Sequence, residues 1–161
     1  MEINIFDEVD NIKLRAEKEI LSNQKLLKLL SIGHDNPLSK PDITSVSSLI
    51  DKYIFFKPKV FNDTTTQVQS FLLTDIIITS IRGSSNFGDI KLIFRVIVHN
   101  ELFELYDGKT RAYQIAKELT ESFNNEYGTW MGKCKLDSCY PMEVPSSYQG
   151  IQLAFIMSDF K

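Results

Sequence analysis

Histidine and cysteine are scarce in this chain of 161 residues: His34 and His99 stand far apart, and the only cysteines are Cys134 and Cys139. A metal centre needs His, Cys or carboxylate ligands clustered at compatible spacing. No such cluster and no cysteine pair with a two-residue gap is present, so the sequence offers no metal site. Cys134 and Cys139 lie five apart in an expected strand, where side chains alternate. They are therefore expected on opposite faces, unbridged, as the reduced thiols of a cytosolic chain. Glycine builds no phosphate loop: Gly83-Ser84-Ser85-Asn86-Phe87-Gly88 is not followed by Lys-Ser or Lys-Thr and joins two expected strands. A basic excess is lacking too. The formal net charge is -3 and the sequence pI about 5.4, which argues against a general nucleic-acid binder. Lys133, Lys135 and the lysines either side of Pro58 are the sparse candidates for a local basic patch. No run approaches the roughly 20 apolar residues that span a bilayer. The acidic start, Met1 to Glu8, lacks the basic and apolar regions of a secretory signal. No internal repeat or low-complexity segment occurs.

What is present is an ordinary globular composition, with 43% hydrophobic and 24% charged residues, long enough for one domain with a real core. The chain is organised around Ile90 to Phe123. Ile90, Leu92, Phe94, Val96 and Val98 alternate with Lys91, Ile93, Arg95, Ile97 and His99, which predicts a strand with one apolar and one mixed face. Glu101 to Tyr106 is expected to continue in a short hairpin, and Asp107-Gly108 is a turn pair. The period then becomes helical: Ala112, Ile115, Ala116, Leu119 and Phe123 share one face of a helix over 109–125.

Before this centre, 5–32 reads as two helices or one kinked near Asn23. Phe6, Val9, Ile12 or Lys13, Ala16 and Ile20 approximate one face, Ser22 or Asn23 is a cap, and Gly33 is the stop. The leucines between Leu26 and Leu30 read as core packing rather than a partner-binding stripe. His34 to Pro41 is a loop, and Asp42 or Thr44 is expected to cap a short helix through Ile50. Tyr53 to Val60 reads as an edge strand because of Pro58. Residues 61–70 read as an exposed polar loop. Phe71 to Ile81, apolar on both sides, reads as a central strand covered on both faces, with Asp75 either at the rim or paired across strands to a basic residue such as Arg95. Residues 82–89 turn that strand into a long hairpin. Two closing strands follow, Lys133–Tyr140 and Gln149–Ser158, joined by a proline-containing connector from Pro141.

The predicted architecture is thus α+β: one domain over 1–161, with N-terminal helices over 1–33. A mainly antiparallel sheet of four or five strands lies within 53–160, with helix 109–125 packed on one face. No catalytic set emerges. Pairing His99 with Cys134 or Cys139 would need proximity and an orienting group that the sequence does not supply. Arg111 in the first turn of its helix opposes the helix dipole. That misfit points either to a specific carboxylate partner or, the simpler reading, to a solvated guanidinium. Trp130 is either an exposed interface anchor or a cap over the core.

Several strings, in order, carry a family resemblance. They are Ser48-Leu49-Ile50-Asp51-Lys52-Tyr53-Ile54-Phe55-Phe56-Lys57-Pro58, the strand Ile90 to His99, Asp107-Gly108-Lys109-Thr110-Arg111-Ala112-Tyr113-Gln114-Ile115-Ala116, and Tyr148 to Phe155 running on to Ser158-Asp159-Phe160. Together, from Leu26 to the end, they resemble phage tail-terminator and neck proteins of the head–tail junction. The acidic helix before Leu26 and the Asn86-Phe87-Gly88-Asp89 turn depart from that pattern. The resemblance implies a structural virion protein, not an enzyme, with no cofactor and no membrane. It implies copies assembled in the host cytoplasm into a ring, commonly hexameric, that ends tail-tube growth and docks to the head connector. DNA would pass through the lumen without specific binding. The residues expected at contacts between copies are Lys91, Arg95 and His99, spaced to meet carboxylates, together with Arg111 and Trp130. A head–tail connector contacting portal or DNA, and a small enzyme or ligand-binding domain, are the alternatives. The first predicts a basic stripe and the second a concave site with converging titratable groups.

Overall fold

The β-branched and aromatic residues of the second half build a five-stranded sheet in the order β1-β2-β3-β5-β4. The computed structural model describes residues 4–57, 67–82, 87–124 and 133–158. The strands are β1 (Ile54–Phe55), β2 (Ser70–Arg82), β3 (Phe87–His99), β4 (Lys133–Met142) and β5 (Tyr148–Ser158). β2, β3, β5 and β4 pair antiparallel in succession, and only the two-residue β1 pairs parallel, with β2. The fold is the expected α+β one.

Among the described residues three α-helices, α1 (Ile5–Ser22), α2 (Gln24–Ser31) and α3 (Arg111–Phe123), accompany this sheet. The predicted face of α3 is the buried one: Ala112, Ile115, Ala116, Leu119 and Phe123 enter the core with Ile90, Leu92, Phe94, Val96 and Val98 of β3. Phe94 is its aromatic centre, 4.9 Å from Phe123 and edge-on to Phe155 at 5.8 Å. Asn23 makes the break between α1 and α2. Its side chain accepts from Leu26 N at 3.1 Å, capping α2, and its amide donates to Ser122 at 3.0 Å, tying the break to α3.

Several boundaries differ from expectation. Ile5, not Phe6, is the first buried residue of α1, and Phe6 is exposed. α2 stops at an extended Ile32 rather than at Gly33. Ser45 precedes a 3-10 turn over Val46–Leu49 without a side-chain cap, so neither Asp42 nor Thr44 plays that part. Of the strand expected over Tyr53–Val60, the described residues form Ile54–Phe55, and the chain turns immediately before it; residues 58–60 lie outside the described residues. Asp51 takes φ 62, which a short polar side chain tolerates, and its N–H donates to Ile54 O at 2.8 Å. Glu101 to Tyr106 forms no strand. A 3-10 turn over Asn100–Leu102 leads to a single bridge between Glu104 and Thr110, closed around Asp107 and Gly108 (φ 80). That bridge holds Lys109 outside α3, which begins at Arg111. β4 runs through Pro141, which an edge strand permits.

β2 is not covered on both faces. Phe71 and Leu73 are buried with Phe55, Ile97 and Tyr148 in a second cluster, but Ile77 and Ile81 are 41% and 52% exposed. A bulge between Leu136 and Ser138 also overturns the placement of the cysteines. Cys134 pairs with Met157 and Cys139 with Leu153, two residues on one face of β5. The extra residue therefore turns both thiols to the same side. Both are free, Cys134 buried and Cys139 exposed. Pro58, most of the 61–70 loop, the tip of the β2–β3 hairpin and Trp130 lie outside the described residues.

Candidate subunit-contact face

The face of the sheet turned away from α3 is open over the half of the strands beyond the second cluster. Direct cross-strand pairs share a face, so the register gives its rows. One row is Ile77, Lys91, Ile156 and Lys135, and the next is Asp75, Ile93, Ala154 and Ser138. The third is Leu73, Arg95, Gln152 and Tyr140. Ile93 and Ala154 lie between the rows of Lys91 and Arg95 and are nearly shielded from water, as apolar groups are beside long basic stems.

Polar side chains link all four long strands here. Arg95 Nη1 lies 3.7 Å from Asp75 Oδ2, the cross-strand pair of the two sequence readings, and Arg95 Nε donates to Gln152 Oε1 at 3.2 Å. Gln152 in turn donates to the Tyr140 hydroxyl at 2.7 Å. The band thus runs from β2 to β4. Lys91 makes a separate pair with the bulged Asp137 at 3.3 Å. These groups are partly exposed, and ion pairs in such positions are each worth only about 0–1 kcal/mol. A neighbouring surface can exchange them without a large penalty.

The five residues expected at contacts therefore separate. Lys91, Arg95 and His99 share the face turned from α3, but the first two already meet carboxylates of their own chain. His99 closes the far end, accepting from Glu101 N at 3.1 Å and standing edge-on to Tyr148 at 5.0 Å. It shares neither the face nor the end of the sheet occupied by Cys134.

Arg111 is no contact residue, and it is neither solvated nor salt-bridged in the way expected. It is 1% exposed and lies among the helices. Its guanidinium donates to four carbonyls: Leu102 O at 2.9 Å, Leu29 O at 2.8 Å, Ile32 O at 3.0 Å and His34 O. Three of these end α2 and begin the following loop, where helix carbonyls lack partners. The cation thus serves the C-terminal dipole of α2, not the N-terminus of its own helix. Burial lowers its pKa, and the Asp35 carboxylate opposes that shift.

Sequence reasoning missed Asp137, Gln152 and Tyr140. The bulge reverses the alternation of β4, so no fixed period places Asp137 and Tyr140 by the same rule. Among the described residues no group of three or more His, Cys, Asp and Glu is placed to hold a metal. Among them no helix is long and apolar enough to cross a membrane. Chemically, the open face can exchange ion pairs and bury isoleucine.

The YomW family model matches residues 23–157, most of the chain. This chain belongs to the YomW family. The family is phage-associated. Its match begins at Asn23, the residue that caps α2, and ends at Met157 in β5, so the open face and the Arg111 clamp lie inside it and α1 outside. No curated protein matches the chain.

Proposed function

We propose that this chain is a structural virion component at the phage head–tail junction, a tail terminator whose copies form a ring. The ring ends growth of the tail tube and presents a docking surface to the head connector. DNA passes through its lumen without specific binding, consistent with the net charge of -3. The observation that carries the reading is the ordered set of strings from Ser48 to Phe160, which resembles that class, in a chain whose family is phage-associated. The open sheet face supports it physically. A ring of identical subunits is heterologous, so one surface of each copy meets a different surface of the next. Half-exposed charges fix the register of such a contact more than they add affinity.

Deleting the gene in the phage tests this. Tails of uncontrolled length, unattached to filled heads, are expected. Normal virions would refute the reading. Tails of normal length that fail to join heads would move the protein to the connector side of the junction.

A further inference from the structure

The two sides of the sheet are unequal. One carries the helices, with Ile5, Ile12, Ala16 and Ile20 of α1 buried in the core beside β3. The other presents the row of Ile77, Lys91, Ile156 and Lys135, in which Ile77 is 41% exposed and Ile156 half-buried. Most charges on this side are already matched: Lys91 meets Asp137, Arg95 meets Asp75, and the Ser80 hydroxyl donates to Asp89. Lys133 and Lys135 are exposed and form no ion pair among the described residues. The surplus charge of the open face is therefore positive, and it lies beside exposed isoleucine.

The outward side of α1 has the opposite character. Phe6, Asp10 and Leu14 recur every four residues and so form one stripe, with Asp7 beside it. Phe6 is 58% and Leu14 63% exposed, and both aspartates are exposed as well. The first half of α1 carries Asp7, Glu8 and Asp10 and no base. α3 offers no such combination: its exposed Lys117 and Glu121 pair with each other at 3.9 Å. With 18 residues α1 is about 27 Å long. That exceeds the ~14 Å between the outer two of four strands spaced about 4.8 Å apart.

We infer that the outward stripe of α1 seats on the open sheet face of a second copy. Phe6 and Leu14 cover Ile77 and Ile156, while Asp7 and Asp10 meet Lys133 and Lys135. The two surfaces lie on opposite sides of the subunit, so the contact is heterologous. The helix layer of one copy meets the bare sheet of the next, and each sheet gains its second covering layer. The acidic half of α1 fixes which way the helix lies, since reversing it would bring Lys18 to the lysines of β4. This inference rests on the ring reading above and specifies its contact.

Thiol labelling tests it. Full-length chains carrying Cys139→Ser with either Leu14→Cys or Ile77→Cys are labelled as assemblies and again after dilution to single subunits. Labelling of both at least tenfold slower in the assembly alone is the expected result. Equal protection of Ile77→Cys in single subunits would show that the chain covers its own face, and protection of only one position would show another occupant. Either overturns the inference. Independently, Asp7→Lys with Asp10→Lys, and Lys133→Glu with Lys135→Glu, should each reduce the assembled fraction at least tenfold with an unchanged circular dichroism spectrum. All four changes in one chain should restore it, and failure to do so in a folded chain overturns the pairing. If the protein assembles regardless of either pair, this contact is wrong and the ring reading stands. A protein that is monomeric at every concentration overturns both.

Discussion

Arg111 occupies the most demanding position of any single residue described here. Its positive charge is buried, and its cost is met only because four carbonyls converge on it. Arg111→Met leaves those carbonyls without their donor and should therefore destabilise the protein, an unsatisfied buried acceptor costing about 1–3 kcal/mol. Lysine cannot reproduce the planar fork and should rescue only part. A urea midpoint unchanged in Arg111→Met would remove the clamp from the account. Cys134 gives a second test. Burial raises its thiol from 9.0 to about 12. A raised acid keeps the neutral form in the fold, so its contribution is complete below pH 9 and is lost as pH climbs from there toward 12. The wild type should thus lose stability more steeply than Cys134→Ala across that window. Equal slopes would contradict the assignment. In the native protein at pH 8, a thiol reagent should modify Cys139 promptly and Cys134 only after unfolding.

At the scale of elements, α3 against β3 is the joint that the rest packs around. Leu119→Ala should cost roughly 2–5 kcal/mol, as buried leucine truncations do. An unchanged denaturation midpoint would place Leu119 outside the core. The hairpin imposes a different constraint. A Cβ at Gly88 would collide with Ser80 O and with Ile5 Cδ1, whereas at Gly150 the near atoms belong to the Met142 and Val144 side chains. Gly88→Ala should therefore lower the melting temperature more than Gly150→Ala, and the reverse order would refute the close approach of the β2 backbone. These elements were legible in sequence to unequal degrees. The faces of β3, β5 and α3 followed from uninterrupted periods of two and 3.6, because nothing interrupts the alternation there. β4 did not, because one inserted residue at Asp137 exchanges its faces and carries Cys139 across. The full burial of Arg111 was also illegible. Its acceptors belong to Leu29, Ile32, His34 and Leu102, and main-chain carbonyls leave no mark in side-chain composition.

At the scale of the whole molecule, one face of the sheet is packed with helices and the other half open, with a polar band running from Asp75 to Tyr140. The sequence carried the charges of that face but not their partners, since Gln152 and Tyr140 are ordinary residues until the register joins them. Arg95→Glu repels Asp75 and breaks the band. It should weaken association between copies while leaving the fold intact, as Arg95 is only partly buried. Unchanged association with a lowered melting temperature would instead make Arg95 a residue of the subunit alone. A ring at the tail end requires assembly of identical copies. Native mass spectrometry of the purified full chain, with light scattering across a hundredfold range of concentration, measures it directly. A single closed oligomer of fixed copy number, hexameric by resemblance, is the predicted result. A monomer throughout, or a ladder of sizes growing with concentration, would contradict the ring.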